Sequence, residues 1–154
     1  VTVVDHEVRR YPNSVSLFSP GSFLQRPPLE TSVSSIVCAG DWVRMENLIV
    51  SWHPERNDRV LLGVHYGTRP YPDRDRRDPR GVFLGANDGA SGVAVLMELA
   101  DSMPEIKGSV GVDFVFFDAE EYVFEEGRDS YCLGSLFRLV HPLTSLQFPV
   151  DVSG

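Results

Sequence analysis

The alternation of apolar and polar positions changes character along the chain. Residues 1–41 mix short apolar runs with Pro12, Pro20, Gly21, Pro27 and Pro28, a weak pattern that accommodates one or two short strands. From Glu46 the signal sharpens. Residues 47–52 read as a strand, 54–58 as a turn and 59–65 as a second strand, and so short a polar turn predicts an antiparallel hairpin. Residues 67–81, rich in Pro, Asp and Arg, bury no apolar face and form a surface loop of the kind that borders sites. Ala90, Val93, Ala94, Met97 and Ala100 recur at helical spacing with Leu96 and Leu99 beside them, which predicts a well-buried helix over 88–103, ended by Pro104 and Gly108. Residues 110–117 are apolar enough to be covered on both faces, the mark of a central strand, and 130–140 read as a further helix. Strand, helix and strand in succession predict a layered α/β domain.

Composition narrows the class of function. The 154 residues carry 14 Lys+Arg against 22 Asp+Glu, a formal charge of −8, and a chain of this length suits one sizeable core. The acidic surplus repels phosphate, and the one dense basic stretch, Arg74 to Arg80, is broken by Asp75, Asp78 and Pro79, so nucleic acid is not an expected partner. No apolar run approaches the roughly 18 residues of a membrane-spanning helix. Two cysteines, Cys38 and Cys132, build no disulfide scaffold and are expected as free thiols. Trp42 and Trp52 are expected to pack rather than stack on a substrate.

Three polar clusters each follow an apolar, strand-like run: His65 after 61–64, Asn87 and Asp88 after 82–85, and Asp118 to Glu121 after Phe116 and Phe117. In open α/β sheets the carboxyl ends of the strands form the ligand crevice. Parallel strands would bring a histidine and several carboxylates to one edge, a donor set suited to zinc. Each cluster also has a plainer reading. Asp88 stands where an aspartate caps a helix, Glu120 and Glu121 could be solvated loop charges, and His65 alone could be a hydrogen-bonded structural histidine. The small residues 85–92 allow close approach of backbone or ligand to Asp88. Phosphate binding does not fit them, since the Lys-Ser/Thr of a P-loop is absent and an aspartate stands in its place.

Gly85-Ala86-Asn87-Asp88-Gly89-Ala90-Ser91-Gly92, then Phe116-Phe117-Asp118-Ala119-Glu120-Glu121, then Leu133-Gly134-Ser135, in that order, resemble the M28 zinc aminopeptidase and glutaminyl cyclase superfamily. The resemblance spans roughly 46–140. It implies a three-layer α/β/α fold with a mixed, mainly parallel central sheet, in which 46–154 form the N-terminal portion of a zinc-exopeptidase-like catalytic domain and 1–45 an extension packed on it. It also implies that Asp88 and Glu121 are zinc ligands, that Glu120 is the acid/base, and that His65 matches the histidine of a His-Tyr-Asp motif. A third ligand, a histidine, is implied in a C-terminal part beyond these residues, and His141 is expected to be an ordinary surface residue.

The longer stretch between Glu121 and Gly134, and the Arg- and Asp-rich run after His65, are similar to the bacterial cyclase-like branch. The activity this implies is closure of an N-terminal glutamine to pyroglutamate with release of ammonia, on a peptide or protein N-terminus, with Phe116 and Phe117 helping to wall Glu120. Aminopeptidase action with Glu120 activating water, or a non-catalytic fragment, are the competing expectations. One departure bears on the metal count. Gly67 stands where the family has the aspartate that orients the histidine, which favours one zinc over two unless Asp73 or another group substitutes. The resemblance further implies an exported enzyme, although no targeting signal is readable in these residues.

Overall fold

The computed structural model describes residues 3–11, 29–38, 41–124 and 130–140. The side chains of Cys38 and Trp42, and His141 altogether, lie outside the described residues. Among the described residues five strands form one sheet in the order β1-β2-β3-β5-β4: β1 (Val3–Tyr11), β2 (Leu29–Cys38), β3 (Asp41–Trp52), β4 (Arg59–His65) and β5 (Gly111–Phe117). Helix α1 (Ala90–Ser102), followed by a short 3-10 turn at Met103–Glu105, connects β4 to β5, and α2 (Leu133–Val140) follows β5. The sheet is mixed. β4 and β5 run parallel, as a helical crossover requires, while the β1–β2, β2–β3 and β3–β5 pairs are antiparallel.

Alternation along β3 explains the layers. Leu48, Val50 and Trp52 face the same way as Phe114 and Phe116 of β5, and with Leu96, Ala100 and Met103 they form the core under α1. The intervening residues turn to the opposite face. There Met45 meets Leu133 at the start of α2 together with Ala119, and Ile49 packs with Val115, Leu61 and Phe117. Among the described residues one helix covers each face, giving the expected α/β/α layering, and β5 is the central strand that its apolar sequence calls for.

Three expectations are corrected. Residues 47–52 and 59–65 are strands but not a hairpin, because β5 inserts between them, pairing Leu48 with Phe116 on one side and Val64 with Phe116 on the other. A short polar turn shows that two strands are consecutive, and says nothing about a third strand coming between them. The run 82–85 is not a strand, and Val82 and Leu84 are each 83% exposed. The apolar stripe of α1 is narrower than its sequence: Val93, Leu96, Leu99 and Ala100 pack inward, whereas Ala90, Ala94 and Met97 are exposed.

At the end of the sheet remote from His65, Asp113 is fully buried and receives two bonds from the Arg59 guanidinium, at 2.7 and 2.6 Å, and one from the Ser51 hydroxyl at 2.6 Å. Arg59 also donates to the carbonyls of Trp52 and His53. This network pins the turn between β3 and β4 to the first residues of β5.

Candidate metal centre

Parallel pairing sets the site. His65 ends β4 opposite Phe117, which ends β5, and the Tyr66 amide donates to the Phe117 carbonyl at 3.0 Å. The histidine and the Asp118–Glu121 turn therefore leave the sheet at one edge. Asp88 arrives from the other direction, just before α1. Gly89 adopts φ 96°, a conformation that glycine takes without strain, and a Cβ there would lie 3.5 Å from the His65 ring. A Cβ on Gly92 would lie 3.0 Å from Val64 Cγ1. The small residues thus seat the start of α1 against the end of β4, bringing Asp88 beside His65. The helix cap falls on Gly89 and no side chain closes it, so the capping role open to Asp88 is not the one it takes.

The turn after β5 is built with care. Ala119 is buried with φ 50°, an unusual conformation for a non-glycine residue. It is held by Asn47, 1% exposed, whose side-chain carbonyl accepts from the Asp118 amide at 3.0 Å while its amide donates to the Gly134 carbonyl at 3.0 Å. A Cβ on Gly134 would run into the Asp118 carbonyl, so the glycine of Leu133-Gly134-Ser135 serves to bring α2 against this turn. Asp118 does not face the site. Its carboxylate accepts from the amides of Ala119 and Glu46.

Glu120 and Glu121 emerge from this frame into different surroundings. Glu121 is 8% exposed; its Oε1 lies 3.8 Å from Arg69, and its Oε2 is buried without a hydrogen-bond partner. Burial, reinforced by the neighbouring charges of Asp88 and Glu120, pushes the Glu121 carboxyl above the ordinary glutamate value, and Arg69 and His65 offset only part of this. Glu120 is partly exposed, with Oε1 3.3 Å from the Cys132 thiol and Oε2 3.9 Å from His65 Nδ1. Phe116 and Phe117 lie in the two cores, on opposite faces of β5.

His65 is oriented by Gly67 itself. Its Nδ1 donates to the Gly67 carbonyl at 2.9 Å, which can only accept, so the proton sits on Nδ1 and Nε2 is turned toward Asp88 Oδ1 at 3.3 Å. A backbone carbonyl thus takes the place of the missing aspartate. Asp73 does not, being paired with Arg69 at 3.1 Å.

The structure brings together all four residues singled out from sequence: His65, Asp88, Glu120 and Glu121. Among the described residues no group of three His, Cys, Asp or Glu side chains is arranged to hold a metal by itself. The donors nevertheless fit one. An unpartnered buried carboxylate oxygen beside two further carboxylates is a site that a divalent cation would neutralise.

Residues 47–146 match peptidase family M28. The chain belongs to this family. Bovine (Bos taurus) glutaminyl-peptide cyclotransferase is 27% identical to it over 143 residues, covering 74% of the chain and 36% of the bovine protein. Among solved structures, the glutaminyl cyclase of Fimbriiglobus ruber is 38% identical with a TM-score of 0.66, covering 70% of this chain and 39% of its own. A Zn-dependent exopeptidase from Parabacteroides distasonis is 34% identical with a TM-score of 0.68, covering 80% and 44%. The match thus spans less than half the length of each of these relatives.

Three residues beside this candidate site carry little signal in the sequence. Asn47 was the only one with a visible signal, a polar residue between Met45 and Ile49 on the inward face of an apolar strand. Arg69 lies in a loop full of arginines and is 7% exposed. Cys132 precedes the Gly-Ser pair, and its sequence neighbours say nothing about Glu120.

Proposed function

We propose that this chain carries the metal and proton-handling residues of a zinc-dependent glutaminyl-peptide cyclotransferase of the M28 family. The observation that carries the reading is the buried, unpartnered Oε2 of Glu121, set among Asp88, Glu120 and His65. The cyclase relatives support the choice of reaction. So does Tyr131, from the longer stretch between Glu121 and Gly134, whose hydroxyl accepts from Arg69 at 3.0 Å beside Glu121. The stretch that resembles cyclases is in this way tied to a metal-site residue.

Asp88 and Glu121 would hold one zinc, with His65 beside Asp88. A bound zinc supplies Lewis acidity at the side-chain carbonyl of the substrate glutamine. Glu120 takes a proton from the substrate's α-amine as that nitrogen bonds to the side-chain carbonyl carbon. It returns the proton to the amide nitrogen, whose bond to that carbon breaks as ammonia leaves. The partial exposure of Glu120 allows it to reach both nitrogens, while the buried Glu121 stays out of proton traffic.

One observation favours a second reading, zinc aminopeptidase action. His65 Nδ1 is engaged by a backbone carbonyl and Nε2 points at Asp88, an orientation equally suited to a histidine that binds a second metal. The two readings differ in product. With a glutaminyl peptide and the full-length protein, the cyclase yields one ammonia per pyroglutamyl peptide. Chelator abolishes this, and Glu120→Gln lowers kcat by about 10²- to 10⁴-fold. Release of a free N-terminal amino acid would establish the peptidase instead, and neither product together with no bound zinc would mark a non-catalytic protein. Export, which the family likeness suggests, is checked by cell fractionation; no helix among the described residues is long and apolar enough to cross a membrane.

A further inference from the structure

Cys132 is held in a conformation that its own chemistry does not favour. Its φ is 61°, in the left-handed region where glycine is the unstrained choice. Two bonds converge from this residue on Glu120: the Cys132 amide donates to the Glu120 carbonyl at 2.7 Å, and the thiol donates to Glu120 Oε1 at 3.3 Å. Its own carbonyl is anchored by the Ser135 hydroxyl at 3.1 Å and the Leu136 amide at 2.9 Å, which fix Cys132 to the first turn of α2. A glycine would make the same backbone bonds with less strain. What it would lack is a side chain to meet the carboxylate.

The other oxygen of Glu120 looks elsewhere. Oε2 lies 3.9 Å from His65 Nδ1, the ring nitrogen that meets the Gly67 carbonyl, while Asp88 approaches the other nitrogen, Nε2. The two oxygens are thereby distinguished, one held by sulfur and one turned to the His65 ring. Burial and the Glu120 charge push the thiol above its ordinary value, which keeps the proton on sulfur and the thiol a donor.

We propose that Cys132 is a positioning residue for Glu120, its thiol holding Oε1 so that Oε2 is the oxygen presented to the substrate's nitrogens. The inference rests on the reading of Glu120 as the acid/base and applies to ring closure and to peptide hydrolysis alike. Strain at Cys132 coincides with its double attachment to one carboxylate residue.

The test compares Cys132→Ala with Cys132→Ser in the full-length protein, since both carry the same strain at φ 61° and only serine keeps a donor. Alanine should lower kcat roughly tenfold with KM and zinc content within twofold of wild type, and serine should recover most of the loss. Serine as impaired as alanine, or alanine equal to wild type, would overturn the proposal. A readout independent of turnover is the infrared S–H stretch of Cys132, taken as the difference between wild type and Cys132→Ala. Glu120→Ala should move that band to higher frequency as the hydrogen bond is lost, and an unmoved band would overturn the contact. Failure of the underlying reading is distinguishable: Glu120→Gln would then retain turnover, while the S–H band still responds to Glu120→Ala.

Discussion

Asn47 shows how much of the site depends on a residue with no chemistry of its own. With one side chain it satisfies the Asp118 amide and the Gly134 carbonyl, joining β3, the turn after β5 and the start of α2. Asn47→Leu keeps the branched outline of the side chain and leaves both backbone groups unpaired in the interior, so it should destabilise the fold by about 2–4 kcal/mol in denaturant titrations. A loss below about 0.5 kcal/mol would show that the bracket is dispensable. Glu121 makes a different prediction. Its carboxyl is raised in the fold and ordinary in the unfolded chain, so the folded state binds the proton more tightly. The stability this confers is present at low pH and lost as pH rises through the raised folded value. Metal-free wild type should lose stability over that window, and Glu121→Gln should not; identical pH profiles would contradict the assignment. At this scale Asp88, Glu120 and Glu121 were legible because motifs mark them. Asn47, Arg69 and Cys132 were not, since each acts through a partner distant in sequence or across a turn.

The elements divide in the same way. Helix α1 and strand β5 could be read because periodicity and an unbroken apolar run are local signals. The order β3-β5-β4 could not, because the pairing of Leu48 and Val64 with the same Phe116 depends on where a strand some fifty residues later inserts. The buried Arg59–Asp113 pair shows what locks that order. Both residues look like surface charges in the sequence, yet Asp113 has no exposed area and Arg59 bridges it to the β3–β4 turn. Asp113→Ala leaves the guanidinium buried without its counter-charge and should cost about 3–5 kcal/mol in thermal or chemical unfolding. A change under about 1 kcal/mol would show that the pair does not hold β4 against β5.

Across the molecule the two ends of the parallel pair are electrostatic opposites. One is closed by a neutralised ion pair, whereas the other gathers Asp88, Glu120 and Glu121 around the guanidinium of Arg69 and the imidazole of His65. Part of the net charge of −8 is therefore concentrated where the crossover helix meets the end of the sheet. Placing a cation there relieves repulsion that the fold otherwise sustains, and stabilisation grows with metal concentration, reaching about 2.7 kcal/mol at a hundred times the dissociation constant. The most direct test of this centre is a zinc titration of the metal-free, full-length protein by calorimetry, beside Glu121→Gln and Asp88→Asn. One zinc per chain, with affinity falling at least about 100-fold in each variant, is the result expected. Two zinc ions per chain, or wild-type affinity in the variants, would contradict a single-zinc centre built on Asp88 and Glu121.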